Sequence, residues 1–210
     1  MNTLIFLNGD FPELYIIKKF LGKKSFIIAA DGGANKLKKI NIIPDLIIGD
    51  LDSVSKSTLV YFRKKGTLIS EVNDQEKTDF EKSLIYCTEN GKNPVKVFGS
   101  LSMRPDHTLN NFSILKRYIK KLDIKLITEE FEIFFMEKYF KFNYRTGEIV
   151  SMLAIPIAEK VTTTGLEYEL KNENLEFGVR EGALNRSTSG EITIRFRKGN
   201  LLLFRKHFLD

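Results

Sequence analysis

Phe26-Ile27-Ile28-Ala29-Ala30-Asp31-Gly32-Gly33-Ala34-Asn35 decides the fold, because a short apolar run breaks directly into an acidic, glycine-rich turn. An apolar run without alternation, bounded by such a turn, reads as a strand buried on both faces. The same grammar repeats outward. Residues 4–7 form an apolar run followed by a helical pattern near Pro12, and residues 46–48, 68–69, 95–98 and 125–128 supply further runs. Helical stretches separate them. Thr78-x-x-Glu81 reads as a capping box opening a helix with Phe80, Leu84 and Cys87 on one face and Gly91 as its stop. Asp106 is placed to cap a helix whose Leu109, Phe112, Leu115 and Ile119 make an apolar stripe. Strands alternating with helices predict a mostly parallel sheet flanked by helices.

The texture changes near residue 125. From about Phe131 the chain shows short strands and turns, clearest at residues 132–136, 148–155, 192–196 and 201–204. Ile192, Ile194 and Phe196 alternate with Thr193, Arg195 and Arg197, the period of a half-buried antiparallel strand. The expected organisation is an α/β domain over residues 1–128, then a small all-β, sandwich-like domain over residues 129–210.

Composition narrows the function classes. The chain has 210 residues, 42% hydrophobic and 29% charged, which excludes wholesale disorder. One cysteine and two histidines leave no internal disulfide and no Cys/His zinc site. Cys87 falls on the apolar stripe of its helix and reads as a buried thiol, and Tyr168 as a packing residue. No apolar run is long enough to span a bilayer, and no leader-like segment opens the chain, so a cytoplasmic protein without a membrane partner is expected. The net charge of +6 is spread over lysine pairs such as Lys18-Lys19 and Lys120-Lys121, as on a solvated surface.

The acidic residues follow the strands. Residues 26–30 lead into Asp31, residues 46–48 into Gly49-Asp50-Leu51-Asp52-Ser53, residues 68–69 into the acidic stretch 73–79, and residues 95–98 into Gly99 and then Arg104-Pro105-Asp106-His107. In an open parallel sheet those ends share one edge, where ligands bind. Clustered carboxylates call for a hard cation such as Mg²⁺. Asp50 and Asp52, two apart, point to one side if extended. The glycines allow close backbone approach to phosphate, the helix start at Thr78 and Asp79 favours an anion, and Arg104 offers a planar fork. Together these suggest metal-assisted phosphoryl or pyrophosphoryl transfer. No Gly-x-x-x-x-Gly-Lys-Ser/Thr loop is present, which excludes an ordinary P-loop kinase.

In order, Ala30-Asp31-Gly32-Gly33-Ala34-Asn35, Pro44-Asp45, Gly49-Asp50-Leu51-Asp52-Ser53, Asp74-Gln75-Glu76-Lys77-Thr78-Asp79-Phe80-x-Lys82, Arg104-x-Asp106-His107-x-Leu109-x-Asn111 and Gly165-Leu166-Glu167-Tyr168-Glu169-Leu170 resemble the thiamine pyrophosphokinases over nearly the whole chain. The resemblance implies a catalytic α/β domain, a β-sandwich domain and a homodimer that binds thiamine near its interface. It implies transfer of the terminal pyrophosphate of ATP to the hydroxyl of thiamine with Mg²⁺, giving thiamine diphosphate and AMP. By motif match, Asp50, Asp52 and Asp79 become the metal-binding and catalytic candidates, with Asp31 beside them. Gly32, Gly33, Asn35, Gln75, Thr78, Lys82, Arg104, Asp106, His107, Asn111 and Asn185 become the substrate-binding candidates. Two departures stand out: Gly99-Ser100-Leu101-Ser102-Met103 replaces a glycine-rich turn, and Leu184 in Gly182-Ala183-Leu184-Asn185 replaces a serine. The competing readings are a Mg²⁺-dependent phosphotransferase or phosphohydrolase with another acceptor and, third, a basic nucleic-acid-binding module, for which pI 9.2 and the Arg195/Arg197 face speak.

Overall fold

The computed structural model describes residues 2–102 and 104–207. Met103, in the turn ahead of Arg104, lies outside the described residues. The chain divides into two compact units, the first running to Glu129 and the second from Glu130.

The first unit is built on β1 (Thr3–Phe6), β2 (Phe26–Ala30), β3 (Leu46–Gly49), β4 (Leu68–Glu71), β5 (Val95–Phe98) and β6 (Ile124–Ile127), in the order β4-β3-β2-β1-β5-β6. Every pairing among them is parallel. Five helices connect them: α1 (Leu14–Phe20), α2 (Gly33–Lys39), α3 (Lys56–Lys64), α4 (Asp79–Glu89) and α5 (Pro105–Tyr118). Leu4 and Phe6 of β1 join a core with Ile16 of α1, Ala34 of α2 and Phe62 of α3. The alternate residue Ile5 is equally buried, as are Phe80, Leu84 and Cys87 of α4, which packs against β2 and β3. Burial on both faces explains why these strands are uninterrupted apolar runs. The order reverses between β1 and β5, so a crevice opens at the carboxyl ends there.

The helix ends differ from the sequence expectation. Thr78 Oγ1 does accept from the Glu81 N–H at 3.3 Å. The Glu81 carboxylate, however, turns to α5, accepting from Tyr118 Oη at 3.2 Å and pairing with Arg117 at 3.0 Å, so half of the predicted capping box becomes an interhelical tie. Asp106 does not cap α5: Arg104 is the N-cap and Pro105 the first helical residue, which suits a ring with no N–H to satisfy. The apolar stripe of α5 is Ile114, Leu115 and Tyr118, while Leu109 is 67% exposed. Cys87 is fully buried, and burial pushes its thiol up to about 12.

The second unit holds β7 (Phe131–Phe135), β8 (Tyr139–Asn143), β9 (Ile149–Thr164), β10 (Lys171–Glu176), β11 (Gly182–Arg186), β12 (Glu191–Arg195) and β13 (Lys198–Lys206). All pairings described within it are antiparallel, so the parallel arrangement belongs to the first unit alone. Strand β9, longer than the stretch 148–155 read from the sequence, is the spine: β13, β10, β11 and β12 all pair with it. Val150, Met152, Ala154, Leu201 and Leu203 meet Ile192 and Ile194 in one core. The Arg205 guanidinium lies 4.6 Å from the Phe142 ring centroid and pairs with Glu132, which keeps a part-buried charge compensated.

Candidate active site

At the carboxyl edge of the parallel sheet lies a cavity of about 640 Å³, and loops following β1 through β5 all reach it. Asp31 follows β2 directly in the left-handed region (φ 40°), a conformation Asp tolerates, and is 3% exposed. Its carboxylate accepts from the N–H groups of Ser53 and Val54, each at 3.1 Å, which fastens the loop after β3 to the end of β2. Asp50 follows β3, and Asp79 is the first residue of α4. One carboxylate oxygen from each of Asp31, Asp50 and Asp79 lies within 4.8 Å of the others. Gly49 makes room for this: at φ +154°, a Cβ there would lie 2.8 Å from Asp31 Cβ and 2.9 Å from Asp79 Oδ1.

Burial dominates the electrostatics of the cluster. Desolvation raises the carboxyl of Asp31 above its ordinary 3.8 against the pull of its hydrogen bonds to the 53–54 loop. Asp79 is raised likewise, chiefly by burial and then by the charges of Asp50 and Asp31, while Lys82 opposes the shift. Lys82, 4% exposed on the next turn of α4, donates to Asp79 Oδ1 at 3.1 Å and lies 3.9 Å from Asp50 Oδ2.

The structure separates the sequence candidates. Asp31, Gly32, Asp50, Thr78, Asp79, Lys82, Arg104, Asp106, His107 and Asn111 line the cavity together. Asp52 does not join the three-carboxylate cluster; it is exposed and its Oδ1 accepts from Ser53 Oγ at 2.9 Å. Gln75 is exposed in the turn ahead of α4. Asn35 braces the β3 loop, donating to the Ser53 carbonyl at 2.9 Å and accepting from the Ser55 N–H at 3.1 Å. Gly32 and Gly33 have helical rather than left-handed roles, Gly32 at φ −57° and Gly33 as the first residue of α2. Their reason for being glycine is close contact, with Asn8 and with the Phe6 carbonyl respectively, rather than backbone freedom. Asn185 is buried in the second unit, where its amide accepts from the Tyr168 N–H at 3.1 Å and donates to the Tyr168 carbonyl at 2.8 Å. Tyr168 itself is 69% exposed, contrary to the packing role expected of it. Its backbone is fixed by Asn185 while its ring faces solvent.

Two cations on the rim are engaged locally. Arg104 donates from Nε and Nη2 to Asp106 at 2.9 and 2.6 Å, and Lys77 is held by Asp74. Asp45, from the quoted motifs, accepts from the Ile27 N–H at 2.7 Å at the other end of the strands and serves the sheet, not the cavity. The residues missed from sequence are Asn8 and Gly9, after β1, and Lys77 and Asn110. The signal for the first two was present: an apolar strand running into Asn-Gly-Asp, as the next strand runs into Asp-Gly-Gly.

An open parallel sheet with convergent carboxylates and amine donors at its carboxyl edge, followed along the chain by a strand-rich unit, is the frame of a group-transfer enzyme. Residues 17–128 match the model of "Thiamin pyrophosphokinase, catalytic domain", and residues 137–201 match "Thiamin pyrophosphokinase, vitamin B1 binding domain". Thiamine pyrophosphokinase 3 of Oryza sativa subsp. japonica is 30% identical over 84% of this chain and 75% of the relative, and thiamin pyrophosphokinase 1 of Caenorhabditis elegans is 27% identical over 92% and 85%. Among solved structures, thiamine pyrophosphokinase from Bacillus subtilis superposes with a TM-score of 0.86 at 22% identity, over 98% of this chain and 99% of that one. The yeast enzyme gives 0.83 at 23%, over 100% and 87%. The chain belongs to the thiamine pyrophosphokinase family, and its function is that of a thiamine pyrophosphokinase, a transferase.

Proposed function

We propose that the first unit binds ATP with Mg²⁺ in the cavity and transfers the terminal pyrophosphate to the hydroxyl of thiamine, releasing AMP. The observation that carries this reading is the meeting of Asp31, Asp50 and Asp79 within 4.8 Å at the sheet edge. Their hard oxygen ligands suit Mg²⁺, and the burial that raises Asp31 and Asp79 is relieved by a divalent charge. Bound there, Mg²⁺ would polarise the phosphate oxygens and offset their charge. Asp50 and Asp79 would hold it with Asp31 beside them, and Asp52, outside this cluster, would be a further ligand only with its carboxylate turned from Ser53. Lys82 donates to Asp79 and lies beside Asp50, so its charge offsets the repulsion between the two acids. Thr78, at the start of α4, together with His107 and Asn111, lines the path of the polyphosphate; Arg104 exchanges its Asp106 partner for phosphate. In the transfer, the thiamine hydroxyl oxygen bonds to the β-phosphorus as the bond from that phosphorus to the α,β-bridging oxygen breaks, and the hydroxyl proton passes to a cavity carboxylate. Residues 1–128 form the catalytic domain of this reading and residues 129–210 the thiamine-binding and dimerisation domain, with the acceptor held near the interface of a homodimer. The proposed location is the cytoplasm; no helix among the described residues is long and apolar enough to cross a membrane.

The reaction of purified protein with Mg²⁺ and ATP, with and without thiamine, tests this directly. Matched formation of AMP and thiamine diphosphate supports it, whereas nucleotide turnover indifferent to thiamine would move the acceptor elsewhere.

The raised carboxyls give a pH-dependent signature of metal binding. An acid whose folded pKa lies above its unfolded value binds its proton more tightly when folded. Ionised Asp31 and Asp79 therefore cost stability at neutral pH, and the cost fades as pH falls through their raised values toward 3.8. Mg²⁺ is expected to raise Tm at about pH 7.5, with the increment shrinking toward about pH 4 as protons displace the ion. Thermal melts with and without Mg²⁺ across this range check it; an increment independent of pH would place the ion away from these carboxylates.

Leu184 is 76% exposed at φ 58°, its N–H donating to Ser151 Oγ at 2.9 Å. Exposure of a large apolar side chain in a left-handed conformation is unfavourable in the free unit, which fits a position that meets a ligand or partner. Leu184→Ser is expected to lower the KM for thiamine while leaving that for ATP unchanged; an unaltered thiamine KM would place this residue away from the acceptor.

A further inference from the structure

Asn8 belongs to none of the motifs above, and the match to the family's catalytic model begins only at residue 17. It stands at the carboxyl end of the central strand β1, where the strand order reverses, and lines the same cavity as Asp31, Asp50 and Asp79. Its backbone is clamped from both sides. The Leu7 N–H donates to the Phe98 carbonyl at 2.9 Å, the Gly9 N–H to the Gly99 carbonyl at 3.1 Å, and the Asp10 N–H to the Leu101 carbonyl at 2.8 Å. Lys36 Nζ donates to the Gly9 carbonyl at 2.5 Å. A Cβ on Gly9 would lie 2.3 Å from the carbonyl oxygens of both Gly99 and Leu101, so the loop meets β5's continuation at backbone distance.

The side chain is exposed at the cavity and lies over Gly32. A Cβ on Gly32 would come within 2.5 Å of Asn8 Nδ2, 2.7 Å of Cγ and 3.0 Å of Oδ1, and these are its three nearest atoms. Gly32 has φ −57°, which any residue adopts, so its backbone does not require glycine. What a Cβ there would displace is the Asn8 amide, the far end of a flexible side chain. The acidic turn thus carries a glycine that gives this amide a floor.

The charge inventory of the cavity says what the amide is for. The lining cations Lys77, Lys82 and Arg104 are each paired with a carboxylate: Asp74, Asp79 and Asp106. The Asn8 amide, by contrast, has no hydrogen-bond partner among the described residues. Beside three clustered carboxylates, a neutral donor can meet an anion without adding negative charge, and the hydrogen-bonded backbone on either side of Asn8 already places its Cα at the cavity. We propose that Asn8 is a nucleotide-binding residue whose side-chain NH₂ donates to a phosphate oxygen of the bound ATP, and that Gly32 is glycine to leave room for the amide in that position. The assignment rests on the pyrophosphokinase reading of the cavity.

Asn8→Ala, Asn8→Asp, Gly32→Ala and the Asn8→Ala/Gly32→Ala double variant, made in the full chain, test it. The readouts are calorimetric titration with a non-hydrolysable ATP analogue and Mg²⁺, separate KM values for ATP and thiamine, and Tm. Loss of a hydrogen bond to a charged acceptor predicts ATP binding weaker by about tenfold or more in Asn8→Ala. Asn8→Asp, isosteric but anionic, should bind more weakly still. Thiamine KM and Tm should stay near wild type. Gly32→Ala should resemble Asn8→Ala, because the added methyl displaces a movable side chain, and the double variant should be no worse than either single change. ATP binding by Asn8→Asp equal to or better than wild type would overturn the proposal, since an acceptor tolerates that change and a phosphate donor does not. So would Asn8→Ala binding ATP within about twofold of wild type, or losses in both substrates together with a lowered Tm. If the wild type yields no thiamine diphosphate, the acceptor reading fails, while the titrations still decide whether Asn8 contacts ATP.

Discussion

Asp79→Asn is expected to lower kcat by about 10²–10³-fold or more while the protein remains folded. The substitution keeps the side-chain volume and removes a charge at the first residue of α4, where the three carboxylates meet and Lys82 donates. With Asp79 neutral, Lys82 retains Asp50 alone at 3.9 Å, and the cluster loses one anionic metal ligand. The fold should tolerate the change, since Thr78 still caps α4 and ionised Asp79 is itself disfavoured by burial. Steady-state kinetics across Mg²⁺ concentrations, read beside a melting curve, check both halves. A kcat near wild type would remove Asp79 from the reaction. Asp52→Asn is the companion measurement: it should lower Mg²⁺-dependent turnover with the fold intact, and unchanged turnover would leave Asp31, Asp50 and Asp79 as the complete metal set.

Gly33→Ala is expected to destabilise the first unit by about 3 kcal/mol, lowering Tm by about 6–12 °C. An ideal Cβ at Gly33 lies 2.2 Å from the Phe6 carbonyl oxygen and 3.0 Å from its carbon, atoms of the buried central strand. Backbone in a packed sheet cannot step aside as a side chain can, so the start of α2 must lift from β1. The comparison with Gly32→Ala is instructive. The two glycines are neighbours in one turn, yet one added methyl meets a backbone carbonyl and the other the amide of Asn8. The first is therefore a stability variant and the second a binding variant. Thermal or urea unfolding of the pair separates them, and equal Tm values would reject the distinction.

The sequence by itself determined the elements that local chemistry controls. Uninterrupted apolar runs such as Phe26–Ala30 can be stable only between two covered faces, so strand, parallel pairing and an acidic carboxyl edge followed from the pattern. The ordered motifs determined the family for the same reason: the turn chemistry after each strand is local and survives in the order of residues. Where side chains end up is a different matter. Glu81 has the spacing of a capping box, but Tyr118 and Arg117, far along the chain, compete for its carboxylate and win. Asp52 shares a motif with Asp50, yet the turn through Leu51, at φ 64°, ends the extended run that would have kept them on one side. Asn8 stands in a segment outside the family's catalytic match, and what makes it notable is the strand reversal between β1 and β5 and the bare surface of Gly32. Only the tertiary structure decided these placements, because each is a contest between partners distant in sequence, settled by burial and close contact and not by spacing.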